Sequence, residues 1–300
     1  MNLKMPYGIS NYEKIVNDGY YYVDKTMYIE KLEKLPETSI IFLRPRKFGK
    51  TLFTSVLENY YDKNKADKFE KLYGNKYIGK NPTENKNKYC ILRFNFSGID
   101  TSSEEATIRG FKNSTIESIK LFIGNYNIDF YINENQEAEE ILNSLFTAFL
   151  LQKKEELIYV IIDEYDHFAN ELLGFYPERF KTLVSKNGKV RKWYEILKKG
   201  TETIVDRIFI TGVAPITLDS LTSGFNIGKD ITQDVRFNDM MGFTKEELVE
   251  ILNSQEIPIG EQEKILPIMK ENYDGYKFSL NAKNQIYNSN MCLYFLSEYT

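Results

Sequence analysis

The stretch Ser39-Ile40-Ile41-Phe42-Leu43-Arg44-Pro45-Arg46-Lys47-Phe48-Gly49-Lys50-Thr51-Leu52 constrains this chain more than any other. An apolar run of strand type ends in a short loop that closes with Gly-Lys-Thr. Leu52, Phe53, Val56, Leu57 and Tyr60 then recur with the spacing of one helix face. Strand, loop and helix in that order are the layout of a phosphate-binding P-loop, whose template reads G-x-x-x-x-G-K-[ST]. A helix that begins at the Gly-Lys-Thr turns its free backbone N–H groups and its positive dipole end toward an anion. The first glycine of the template falls where this chain has Arg44, and Pro45 after it brings no N–H. Arg44, Arg46 and Lys47 then either add positive charge toward phosphates or form a solvated basic loop.

A P-loop that hydrolyses needs further parts, and later segments supply candidates. Leu157-Ile158-Tyr159-Val160-Ile161-Ile162-Asp163-Glu164 is apolar without alternation until its end, as in a parallel-sheet strand buried on both faces. Asp163 fits the acid that holds the water shell of Mg²⁺, and Glu164 the acid that orients the attacking water. Arg207-Ile208-Phe209-Ile210-Thr211-Gly212-Val213 predicts another strand, and Thr211 is the candidate to position that water or the γ-phosphate. Lys50 reaches phosphate oxygens, Thr51 offers a hydroxyl to Mg²⁺, and the backbone of Arg46, Lys47, Phe48, Gly49, Lys50, Thr51 and Leu52 forms the cradle. Right-handed crossovers set the three strand ends on one edge of the sheet, where open α/β folds bind ligands. His167 and Asp166, just past the acids, read as hydrogen-bonded and turn or cap residues.

The remaining segments give the frame. Tyr20-Tyr21-Tyr22 reads as core or edge packing, and Asp24 as the N-cap of a helix carrying Tyr28, Ile29, Leu32 and Leu35. This region stands where it can wall the base side of a nucleotide site. Residues 62–88 read as helix ends and loop, Tyr89–Phe96 as a strand, and 101–155 as mostly helical. Pro215 to Asp234 reads as an ordered loop region. Thr244 with Glu247 forms a capping box ahead of helices near 245–253 and 261–272. The boundary is placed near 236–242, which makes 1–238 a core and 239–300 a helical lid with the start of a following region.

Composition excludes several classes. The chain is 42% hydrophobic and 14% aromatic, which supports a sizeable core and argues against disorder. A net charge of -4 gives no global basic field for nucleic acid. The segment 179–199, with Arg179, Lys181, Arg191 and Lys192, keeps a local DNA contact open. Cys90 and Cys292 alone make no disulfide framework, and the single His167 makes no His-rich metal site. The N-terminus has no apolar core of a signal peptide and no run is long enough to span a membrane, so a cytoplasmic protein is expected.

Taken together, Tyr7-Gly8 with Asp24-Lys25-Thr26, Arg44–Thr51, Asp163-Glu164-Tyr165-Asp166, Thr211-Gly212-Val213, Gly242-Phe243-Thr244 and Tyr273-Asp274-Gly275-Tyr276 resemble the bacterial AAA-ATPase-like family of P-loop proteins. The Arg-Pro-Arg opening is similar to that family's usual loop. The resemblance covers roughly residues 6–280. It implies an α/β core of the ASCE type, a parallel sheet flanked by helices with a C-terminal helical lid. It also implies ATP and Mg²⁺ as cofactors, with Lys50, Thr51, Asp163 and Glu164 at the nucleotide and metal positions. Many members resemble fusions to a C-terminal PD-(D/E)XK nuclease-like domain. This sequence ends inside the apolar stretch Met291–Tyr299, so such a domain, or a protein partner, would lie outside it. The expected function is Mg²⁺-dependent ATP hydrolysis that switches the lid or a partner. The alternatives are a nucleotide-binding scaffold with little hydrolysis and a DNA-associated module of a nuclease system.

Overall fold

A computed structural model describes residues 4–153, 155–184, 188–215 and 226–299. Five parallel strands form one sheet: β1 Ser39–Leu43, β2 Tyr89–Asn95, β3 Leu157–Asp163, β4 Val205–Gly212 and β5 Lys229–Asp230, in the order β2-β3-β4-β1-β5. The apolar runs make these strands because both faces are covered. Alternate residues of β1 go to opposite sides, Ile41 and Leu43 to one cluster and Ile40 and Phe42 to the other. The first cluster packs under the helices Glu104–Tyr126, Ala138–Gln152 and Lys189–Gly200. The second packs under Met27–Glu33 and under Lys50–Tyr61, the helix that follows the P-loop.

Several sequence expectations shift. β4 lies between β1 and β3, so the acidic strand is one removed from the P-loop strand. The pairing of Ile40 with Lys229 and Ile41 with Asp230 adds an edge strand that the sequence reading placed in a loop. Residues 62–88 are not mainly loop. They fold into short helices at Lys63–Lys68, Phe69–Tyr73 and Tyr77–Lys80, because Phe69, Leu72, Tyr73 and Ile78 find buried places beside the P-loop helix. Asp24 is not the N-cap of Met27–Glu33. Thr26 holds that position, and Asp24 Oδ1 accepts from the Thr26 amide at 2.9 Å and from its hydroxyl at 2.7 Å. The ordered loop expected at 215–234 falls partly on residues 216–225, outside the described residues.

The C-terminal part is helical, with Lys245–Ser254, Ile259–Tyr273 and Ser289–Tyr299. Phe243, Leu248, Ile251, Leu252, Ile265, Met269 and Leu296 form a third apolar cluster of their own. The Thr244–Glu247 capping box is present: Thr244 Oγ1 accepts from the Glu247 amide at 3.3 Å, and Glu247 Oε2 accepts from the Thr244 amide at 2.9 Å. Among the described residues no helix is long and apolar enough to cross a membrane.

Candidate functional site

The site is built around the end of β1. Lys50–Tyr61 starts after Gly49, whose φ of 88° is a left-handed conformation that glycine takes at little cost. No side chain caps this helix and no acidic residue stands in its first turn. Its first amides and dipole end are therefore available to an anion. Arg46 and Lys47 are exposed, while Lys50 is buried. Lys50 Nζ donates to the carbonyls of Arg44 at 2.9 Å and Pro45 at 3.0 Å. Burial pushes the Lys50 pKa down, and the charges of Glu164, Asp163 and Asp166 act in the other direction.

Neither reading of Arg44 survives. Arg44 is 1% exposed and points away from the phosphate side. Nη1 donates to the carbonyls of Leu43 at 2.8 Å and Thr232 at 2.9 Å, and Nη2 to those of Phe237 at 3.0 Å and Asn238 at 3.4 Å. The guanidinium lies 4.0 Å from the ring centre of Phe42 and 3.9 Å from that of Phe278. The residue in the place of the template glycine is thus an internal anchor. Only Arg46 and Lys47 of the three basic residues face the ligand side.

The rear of the loop is held by the C-terminal part. The carbonyl of Phe48 accepts from the Gly242 amide at 3.2 Å, and that of Lys47 from the Asn290 amide at 3.2 Å and Ser289 Oγ at 3.4 Å. The carbonyl of Arg46 accepts from Asn288 Nδ2 at 3.4 Å. The buried Phe48 ring sits edge-on to Tyr276 and Phe278, with centres 4.8 and 5.4 Å away. Gly242 (φ 82°) admits this contact, since a Cβ there would lie 2.4 Å from Ile286 Cγ2 and 2.9 Å from Phe48 Cδ1.

The two acids differ. Asp163 ends β3 fully buried. Its Oδ2 lies 3.4 Å from Arg93 Nη2, while its Oδ1 has no partner. Glu164 is partly exposed and holds a left-handed φ of 52°. A glutamate in that conformation is strained, as residues at functional sites often are. Asp166 is structural. It sits at the N-cap position of His167–Phe175, but its carboxylate accepts from the amides of Val213 and Ala214 and from Asn170 Nδ2. The His167 amide donates to the Glu164 carbonyl at 3.2 Å. Thr211 is fully buried and its hydroxyl donates to the Phe42 carbonyl at 2.9 Å. That bond ties β4 to β1 and does not bring Thr211 to the cavity.

A cavity of about 410 Å³ opens over the helix start. Arg46 to Phe53 and Glu164 line it. Further lining comes from Pro6 and 8–10, Tyr21, Tyr22, Val23 and Lys25, Met240 to Phe243, and Ser289, Asn290 and Leu293. The tyrosine pair is therefore a cavity wall as well as packing. Lys25 is buried there, with Nζ 2.6 and 2.7 Å from the carboxylate oxygens of Glu247 and 2.8 Å from the Asp239 carbonyl. Desolvation pushes the Lys25 pKa down, and Glu247 opposes that shift.

Two residues were given no role of their own in the sequence reading. Lys25 gave a weak signal, a lysine before a helix. Arg93 gave a clearer one, as the sole charge in the apolar run of β2. In the basic segment 179–199 Lys192 and Lys199 are exposed, while several of the other cations are engaged. Lys181 pairs with Glu178, Lys189 with Glu137 and Arg191 with Glu195, and Arg179 donates to the carbonyls of Thr101 and Ser102.

A parallel sheet whose interior strand β1 leads through Gly-Lys-Thr into an uncapped helix is an α/β fold of the P-loop NTPase type. The chain belongs to the family described as Predicted AAA-ATPase, which matches residues 6–222. The match stops short of Gly242-Phe243-Thr244 and Tyr273–Tyr276. The chain is also similar to an "Uncharacterized protein in vnfD 5'region" of Azotobacter chroococcum mcd 1, at 27% identity over 283 residues. That alignment covers 93% of this chain and 49% of the relative, so the chain spans about half the length of that protein.

Proposed function

We propose that this protein binds ATP in the cavity over the helix start and hydrolyses it with Mg²⁺. The observation that carries the reading is one edge of the sheet. There an uncapped helix N-terminus, Lys50 and the exposed Arg46 and Lys47 line, together with Glu164, one cavity of ligand size. The first amides of the helix and Lys50 take the phosphate charge, and Lys50 exchanges the loop carbonyls for phosphate oxygens. Glu164 orients and deprotonates the water. Family membership makes Mg²⁺ the expected metal, and the residues fit it. Asp163 has a buried oxygen without a partner, and Thr51 stands at the helix start. When bound by Thr51 and Asp163, Mg²⁺ would supply charge neutralisation at the phosphates.

In this reading residues 1–238 are the nucleotide core and 239–300 a lid. Because the lid residues Gly242 and 288–290 grip the loop carbonyls directly, a change in the loop on hydrolysis is passed to the lid. ATP binding and turnover in wild type, Lys50→Ala and Glu164→Gln test this. Lys50→Ala loses binding, and Glu164→Gln keeps binding but loses turnover. Wild-type affinity in Lys50→Ala refutes the site.

A further inference from the structure

Arg93 is the only charged residue of β2, and it links the P-loop helix to the acidic strand. Nη1 donates to Glu58 Oε2 at 2.7 Å and Nη2 to Thr54 Oγ1 at 3.0 Å, both on Lys50–Tyr61. The same Nη2 lies 3.4 Å from Asp163 Oδ2. Thr54 in turn donates its hydroxyl to the carbonyl of Thr51 at 2.9 Å. The guanidinium is therefore fixed by two side chains of the helix and reaches the acid from that fixed position. Asp163 has one oxygen beside a cation and one buried oxygen with no partner.

A buried carboxylate that lost its cationic neighbour would be free to turn and to seek other donors. We propose that Arg93 is a positioning residue for the metal. It holds Asp163 by Oδ2 and leaves Oδ1 free for the hydration shell of a divalent cation. This rests on the reading that Asp163 serves Mg²⁺. Only the forked guanidinium meets the requirement, because an ammonium cannot bond Glu58, Thr54 and Asp163 from one planar group.

The test measures ATP affinity of the full chain in EDTA and in Mg²⁺, and the ratio is the metal gain. Outer-shell partners of metal ligands are worth about 10–100-fold. Arg93→Met is expected to keep the EDTA affinity within about twofold and to cut the metal gain about tenfold or more. Arg93→Lys restores part of the gain. Asp163→Asn loses the gain, and the double variant loses no more than Asp163→Asn alone. A full gain in Asp163→Asn overturns the metal reading beneath the proposal. Loss in Asp163→Asn with full gain in Arg93→Met overturns the role of Arg93 alone, as does additive loss in the double variant. If melting shows that Arg93→Met does not fold, Thr54→Val and Arg93→Lys decide. A reduced gain in both supports the proposal, and a wild-type gain in both overturns it.

Discussion

Restoring the glycine of the P-loop template, Arg44→Gly, is expected to weaken this protein. Glycine gains nothing from the backbone, because positive φ occurs in this loop at Lys47 (71°) and Gly49 (88°) and not at Arg44. The loss is large. The carbonyls of Thr232, Phe237 and Asn238 lose their donor, at about 1 kcal/mol each. The contacts with Phe42 and Phe278 add about 0.5–1 kcal/mol each. A cavity remains where the side chain was. Against this, the folded state no longer holds a buried cation, whose charge is disfavoured by burial and only partly relieved by Asp230 and Asp239. The net is about 3 kcal/mol of lost stability. For a chain of 300 residues that lowers Tm by about 5 °C. Urea unfolding gives the free energy and a thermal melt the shift. ATP affinity falls as well, because the loop loses its anchor to 232–238. Arg44→Lys recovers little, since it cannot bond four carbonyls and stack between two rings. A Tm within about 1 °C of wild type, with equal or tighter ATP binding, would refute the reasoning.

Three further outcomes follow from other contacts. Glu164→Asn ends turnover without lowering Tm, because asparagine tolerates the left-handed φ better than glutamate; a Tm loss above about 1 kcal/mol equivalent would show that the strain is not there. Lys25→Met leaves the partly buried Glu247 without its cation and costs about 2 kcal/mol in urea unfolding, and less in a Glu247→Gln background; equal costs in both would deny the coupling. Glu13 accepts from Lys65 and Lys68 at 2.6 Å each, which holds its carboxyl below the ordinary range. Its stabilisation is present above the unfolded carboxyl pKa and is lost as the pH falls through the lower folded value. Glu13→Gln therefore destabilises by about 1 kcal/mol at pH 7 and by nothing once both forms are protonated, and a pH-independent difference would contradict this.

The strands and the P-loop helix were legible because their signal is local. β1 and β3 are apolar without a break, and Gly49 with Lys50 and Thr51 starts a helix wherever it occurs after such a strand. What the sequence hid is the direction in which single polar side chains turn. Arg44 stands two and three residues before Arg46 and Lys47, which do face the cavity, and no periodicity tells an inward loop residue from an outward one. Thr211 has the right strand and the right end, yet the insertion of β4 beside β1 gives its hydroxyl to the Phe42 carbonyl. Arg93 stands in a strand whose neighbours are buried, and its meaning appears only when the helix that carries Thr54 and Glu58 is laid across it. The template departure at position 44 has the same origin. Arg44 and Phe48 both reach Phe278, and Gly242 is small so that Phe48 can pass. A residue that looks like a defect in a phosphate loop is, in three dimensions, half of a contact whose other half lies more than two hundred residues away.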